Sequence, residues 1–389
     1  MRGNNNQIHD NMGSIFLICF KLVVTLKIFT VKTKGVISMR SLSWMMILVC
    51  LSFVGCVKNS SETEHVKNDF KPEKGMIDVQ IQKKKNIPGL PSMNTQSIMG
   101  IYNNLVYYAL DKQTSYEIVF EHIDGSREKT IVINKGKGPG EIVQMLALVV
   151  NNKHIYAADV AMQRVNVYDL KGNYINEYDL TNIGDMPSTI AIMNDKLYMT
   201  CMLKKKIIKI DLNTMSLEKE IAYESIREIE VGGEVMAGGI RADEFQNQLV
   251  YVFMDYPIQI EIYNTDLVLK KIVTKKGHEK KNLTWGMGGN IVGDIAAMSF
   301  YAGKDYYYLP TGYHISGTQE PFIEKKPHIH VFDKTTGQYK YDLVCEQLGD
   351  VKGGLSIIGQ IGDTLVFHLL DIEENFSGLV FVNNPIQNI

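Results

Sequence analysis

From residue 77 to residue 389 the chain alternates hydrophobic and polar positions in short runs, divided by Gly, Asn and Asp, with no long stretch of helical spacing. The runs share one order: a run with an aromatic, a short gap, a second run often closed by Asp or Asn, a turn, and a third run. "HIYAADV" (154–160), "RVNVYDL" (164–170), the turn "KGN" and "YINEYDL" (174–180) show it most clearly. The order returns from "LVYYALD" (105–111), from "KLYMTCM" (196–202), from "QLVYVFM" (248–254), from "DYYYLPT" (305–311) and, shortened, from "DTLVFHLL" (363–370).

The aromatic of the first run falls at Tyr107, Tyr156, Tyr198, Tyr251, Tyr307 and Phe367, at intervals of 49, 42, 53, 56 and 60 residues. That spacing belongs to propeller blades, whose repeats run to about 40–50 residues before insertions. A further apolar stretch precedes most first runs: "SIMGIY" (97–102), "MLALVV" (145–150), "STIAIM" (188–193), "GDIAAMSF" (293–300) and "LSIIGQI" (355–361), with only the weak "GGIRAD" (238–243) in the fourth copy. These are expected as the innermost strands. The prediction is an all-β, six-bladed β-propeller of four-stranded antiparallel blades over 76–389. The last copy shows one strand too few, and "MIDVQIQK" (76–83) is expected to close it, covering its open edge.

The N-terminus reads as an address. From Met39, Arg40 precedes an apolar core, Trp44 to Val54, too short to span a bilayer, and "FVGC" (53–56) ends it. Residues 39–55 are expected as a lipoprotein signal peptide and Cys56 as the lipid attachment site. Residues 1–38 lie upstream of a complete signal, and Lys21 and Lys27 interrupt their apolar run; a mis-assigned start is expected there. Residues 56–75 are polar and without period, the pattern of a flexible tether.

Composition adds two constraints. The formal charge of the whole chain is −2, and the part after residue 55 carries −7. An acidic body argues against nucleic acid as partner, since phosphate neutralisation needs basic patches. Of five cysteines, only Cys201 and Cys345 follow Cys56, and they fall in non-adjacent repeats, which favours two buried thiols over a disulfide.

"NKGKGPGEIV" (134–143) raises the possibility of a phosphate cradle. A P-loop continues its last glycine with Lys-Ser/Thr and a helix. Here Glu141 follows Gly140, and an acid there would repel phosphate, so the stretch reads as the crossover from the outer strand of blade one to the inner strand of blade two. The same "KGKGPGEI", followed by "NNKHIYAADVAMQRVNVYDLKGNYINEYDL", resembles the six-bladed propeller lipoproteins of Gram-negative bacteria, related to NHL and TolB-like propellers. The resemblance covers roughly 76–389 and implies a fold and an outer-membrane location, facing periplasm or surface, more than an activity.

Several residues could carry chemistry. His328 and His330 of "HIH" share one strand face, and His314 and Glu320 lie in the insertion 312–327; these histidines could hold zinc. Asp159, Asp169, Asp211 and Asp333 close strands and could bind calcium or act as acid and base in the channel, although aspartate at strand ends more often serves turns. No HExxH, Cys-x-x-Cys or Ser-His-Asp order is present. Trp285 in 278–294, with Tyr313, could form an aromatic rim for a sugar or peptide. The preferred function is a monomeric cell-envelope module, held to the membrane by its lipid, that binds a protein or carbohydrate ligand without a cofactor. The alternative is a metal-dependent hydrolase or lyase with a site in the propeller channel.

Overall fold

In a computed structural model the described residues are 63–69, 71–90, 95–183, 187–201, 206–222, 238–253, 257–276, 284–285, 291–295, 297, 299–311, 313–315, 327–349, 351, 353–371 and 374–388. Cys56, Glu320 and the address segments lie outside them. Three N-terminal strands come first: β1 (Glu64–Asn68), β2 (Met76–Asp78) and β3 (Ile81–Asn86). Blade one is β4 (Met99–Tyr102), β5 (Leu105–Asp111), β6 (Ser115–Glu121) and β7 (Arg127–Asn134). Blade two is β8 (Met145–Val150), β9 (His154–Asp159), β10 (Arg164–Asp169) and β11 (Tyr174–Asp179). Blade three is β12 (Pro187–Met193), β13 (Lys196–Cys201), β14 (Lys206–Asp211) and β15 (Ser216–Ala222). Blade four is β16 (Gly238–Asp243), β17 (Gln248–Phe253), β18 (Gln259–Asn264) and β19 (Leu269–Lys275). After β20 (Thr284–Trp285) and β21 (Ile291–Ile295), blade five is β22 (Tyr301–Ala302), β23 (Tyr306–Thr311), β25 (His328–Asp333) and β26 (Tyr339–Val344), with β24 (Tyr313–Ile315) inserted. Blade six is β27 (Gly353–Ile361), β28 (Thr364–Asp371) and β29 (Phe376–Asn383), completed by β3. The six blades are antiparallel and form a β-propeller, and no α-helix occurs among the described residues.

The repeating aromatic explains itself in this frame. All six lie on the second strand of their blade and are buried. They pack in apolar layers between successive blades, so the core is a ring of layers and not one centre. Three tyrosines also bolt one blade to another through their hydroxyls. Tyr107 donates to the Leu148 carbonyl at 3.5 Å, Tyr198 to the Thr265 carbonyl at 2.9 Å and Tyr307 to Asp243 Oδ2 at 3.4 Å. A buried ring with a satisfied hydroxyl gives apolar area without an unpaired polar group.

The N-terminal segment differs from expectation in two places. The strand that closes blade six is 81–86, not 76–83: Ile81 pairs with Val382, Lys84 with Val380 and Asn86 with Gly378, all antiparallel. The preceding piece, β2, runs parallel on the outer edge of blade five, Ile77 beside Leu343. Buried Val79, whose N–H donates to the Val344 carbonyl at 2.8 Å, marks where the chain leaves blade five. The second difference is β1, inside the stretch expected as a tether, which pairs parallel with β19 of blade four. Its lock is Asn68, whose amide donates to the carbonyls of Gly337 (2.9 Å) and Thr274 (3.2 Å) while its Oδ1 accepts from Tyr339 N at 2.8 Å.

A third difference concerns blade five. Its innermost strand is the short β22, not 293–300. Ala297 and Phe300 are spent instead as buried plugs in the layer between blades four and five. "GGIRAD", by contrast, forms a full six-residue strand, β16. Cys201 and Cys345 are both buried, in blades three and five, with no disulfide joining them.

Ring closure is reinforced from blade one. Lys85 Nζ donates to Glu121 Oε2 at 2.6 Å, which also accepts from Tyr108 Oη at 2.9 Å, and Lys83 Nζ reaches the carbonyls of Ile123 (3.0 Å) and Asp124 (2.7 Å). Across the ladder, a Cβ on Gly378 would lie 2.0 Å from the Lys85 carbonyl oxygen, a backbone atom that cannot swing away. Gly378→Ala is therefore expected to push β3 off blade six and to cost about 1–3 kcal/mol or more, as overpacking does. Guanidinium unfolding of the variant measures this, and an unchanged midpoint would count against the closure described.

Candidate functional site

The glycine-rich turn between β7 and β8 is a latch between blades one and two. Gly138 N–H donates to Glu141 Oε2 at 2.9 Å, so the loop's own carboxylate takes an amide that a phosphate would need. Gly136 leaves room for that carboxylate, since a Cβ there would lie 2.0 Å from it. Gly140 has φ +72° and faces Tyr174, whose Cβ would be 2.7 Å away from an added methyl; only glycine meets both demands. Blade two grips the loop from below. Arg164 donates to the carbonyls of Gly138 (3.0 Å) and Glu141 (2.7 Å), Tyr168 Oη donates to the Gly140 carbonyl (3.1 Å), and Asp159 accepts from Val143 N (2.9 Å) and Gln144 N (3.1 Å). Burial raises the Tyr168 phenol well above its ordinary range.

The strand-end aspartates do not converge. Asp159 belongs to that latch. Asp169 accepts from Lys171 N and Asn173 N at 2.8 Å, Asp211 from Asn213 N at 2.7 Å and Asp333 from Thr336 N at 2.7 Å. Each closes its own turn between third and fourth strands, far along the sequence from the next.

His328 and His330 do share a strand face, and that face is not solvated. Asp342, the cross-strand partner of His330, binds both rings through Nδ1: Oδ2 to His328 at 2.8 Å and Oδ1 to His330 at 3.1 Å. Tyr339 Oη lies 2.8 Å from His330 Nδ1 and Thr311 Oγ1 3.4 Å from its Nε2. Burial, with Lys275 nearby, pushes His330 down to about 4. Burial would raise Asp342, but the hydrogen bonds from the two imidazoles outweigh it and hold the carboxyl below its usual range. One carboxylate thus takes up both rings, and among the described residues no group of three or more His, Cys, Asp or Glu is disposed to hold a metal.

Trp285, Tyr313 and His314 come together in a small separate sheet, β20-β21-β24. Trp285 pairs with Ile291, Tyr313 with Ile295 and His314 with Asp294. The two insertions expected to share a rim thus pair with one another through β21 and β24.

A cleft of about 380 Å³ lies elsewhere, where the first turns of blades two, three and four meet. These turns are short and asparagine-rich: Asn151 and Asn152 after β8, Asn194 and Asp195 after β12, and Glu244 to Asn247 after β16. Asn194, Asp195 and Asn247 hold φ of 53°, 55° and 52°, the left-handed region that Asn and Asp tolerate best. Asn194 Nδ2 donates to Asn247 Oδ1 at 2.7 Å and Lys153 Nζ to Asp195 Oδ1 at 2.8 Å, tying the turns of adjacent blades together. Asn151 Oδ1 caps its own turn by accepting from the N–H groups of Lys153 and His154. The floor is apolar, Ile192 and Met193. The sequence signal for this site was the pairing of Asn and Asp in first turns one blade apart. Only the ring shows that these turns converge.

No family model and no curated protein matches the chain. Solved structures do. A member of the DUF4221 family from Bacteroides vulgatus aligns with TM-score 0.55 at 15% identity, over 78% of this chain and 97% of its own. A protein from Bacteroides fragilis described as exported aligns with TM-score 0.51 at 14% identity, over 82% and 99%. At such identities the likeness is one of fold.

Proposed function

We propose that this chain is a cell-envelope lipoprotein, anchored through Cys56 at the outer membrane and facing periplasm or surface, whose propeller is a binding or scaffold module of the NHL and TolB-like kind. The observation that carries the reading is the hydrogen bonding of the first turns to one another across blades two to four. These short turns hold polar groups around a cleft that needs little ordering on binding. A neighbour of the same fold that is described as exported is in keeping with an envelope location. The burial of His330 and Asp342, and the further contacts of His330 with Tyr339 and Thr311, are in keeping with a structural role for the His328–Asp342–His330 group.

Two measurements test the two halves. Growth of the native host with alkyne-tagged palmitate should label the wild-type protein and leave Cys56→Ser unlabelled; equal labelling of both, or of neither, removes the anchor. Crosslinking in the native envelope, followed by mass spectrometry, should return a fixed companion. Stoichiometric zinc or calcium in the purified protein would instead favour a hydrolase or lyase.

A further inference from the structure

The cleft between the first turns of blades two, three and four has a composition that selects among ligand classes. It is concave, and its volume of about 380 Å³ lies within the range of small-molecule sites, roughly 300–1,000 Å³. Planar amide and carboxylate groups ring it, and two aliphatic side chains floor it. Its charged groups are Lys153, Asp195 and Glu244, and the first two neutralise each other at 2.8 Å. One carboxylate therefore remains, so anionic ligands are disfavoured.

Two of the ring's groups stand ready for a ligand. Among the described residues no hydrogen bond engages the Asn152 amide or the Glu244 carboxylate, and both side chains are exposed on the cleft. The turn that supplies Glu244 also carries Phe245, 61% exposed, with Lys334 Nζ 5.2 Å from its ring centroid. An exposed aromatic ring on the turn that supplies the cleft's carboxylate suits a chain of pyranoses: the axial C–H face of one ring stacks on the aromatic while the vicinal hydroxyls of the next bridge planar acceptors and donors in the cleft. A peptide docking by strand addition or as an amphipathic helix would need an open strand edge or an apolar groove, and the cleft offers turns and a small apolar floor of Ile192 and Met193.

From this geometry we infer that the cleft is a binding site for a neutral oligosaccharide, with Asn152, Asn194 and Glu244 reading hydroxyls in the cleft and Phe245, on the same turn as Glu244 but outside the cleft lining, stacking on a further sugar ring of the chain. The inference rests on the binding-module reading above and names its ligand. Calorimetric titration of the full-length mature protein with mannohexaose, cellohexaose, xylohexaose and maltohexaose tests it. At least one probe should bind with a dissociation constant between about 10 μM and 1 mM. Glu244→Ala with Asn152→Ala should weaken that binding at least about tenfold, and Phe245→Ala about as much, each worth roughly 1.4 kcal/mol. Val132→Ala, on the outer edge of blade one, should leave it unchanged and shows that the fold tolerates surface truncation. No binding of any probe at about 10 mM, weaker than any useful site, overturns the inference, as does binding that the cleft variants do not weaken. A crosslinked companion protein seated on 151–153 and 244–247 would overturn the sugar assignment and leave the binding-module reading standing.

Discussion

Lys334→Ala is expected to lower the unfolding free energy by about 3–5 kcal/mol, the cost of stranding one charge of a buried pair. Lys334 is 2% exposed and Asp243 is 0% exposed. The ammonium donates to Asp243 Oδ1 at 2.5 Å and to the Gly303 carbonyl at 2.7 Å, so it ties the end of β16 in blade four to the first turn of blade five. Burial pulls the Lys334 pKa down and the carboxylate opposes it. Removing the cation leaves Asp243 with Tyr307 Oη at 3.4 Å and Gln246 N at 3.3 Å, both long contacts. The double variant Asp243→Leu with Lys334→Met removes both charges and should recover most of the loss. Equilibrium denaturation in guanidinium measures all three. A loss below about 1 kcal/mol for Lys334→Ala, the worth of an exposed pair, would contradict the burial described.

Acid is expected to weaken the propeller well before its carboxylates titrate. Burial holds His330 down to about 4, from an ordinary 6.5. Burial likewise holds His368 down to about 4, from 6.5. The unfolded chain takes up these protons near pH 6.5 and the folded chain only near pH 4. Stability is therefore complete above the upper value and falls through the window between the two. The slope is about 1.4 kcal/mol per pH unit for each histidine. Asp342 acts in the same direction at still lower pH, since its folded value is depressed and its contribution is lost as pH falls through that value. Guanidinium midpoints taken across this window should decline steeply, and His368→Gln should remove about half of the slope. A flat profile in the wild type would mean that both rings are already accessible to protons.

The sequence carried the architecture because its signal is local. An aromatic on the second strand of each blade packs against the next blade, so the same residue type returns at each blade interval and can be counted. The strands that escaped are held by distant partners. "EHVKN" has a single apolar residue, Val66, and becomes a strand because Asn68 bonds to residues 206 to 271 positions away. The closing strand slipped because 76–83 reads as one alternating run, and the passage from blade five to blade six after Val79 leaves no mark in its polarity pattern. At blade five, "GDIAAMSF" had the right hydrophobicity for an inner strand, yet Ala297 and Phe300 were needed to fill the layer against blade four. The paired histidines were legible as a face, but the carboxylate opposite them, Asp342, lies on the next strand. The asparagine turns were legible one by one as turns, and their meeting around a cleft depends on the ring.

The order in which the N-terminal segment engages the disc has a mechanical consequence. A pull applied upstream of Glu64 meets the β1–β19 ladder first, then β2 on blade five, and reaches the closing strand β3 only after both have let go. The two parallel strands act as sacrificial links in series. Tension applied there is dissipated at the periphery, and the clasp of the ring stays shut until the load has broken them both.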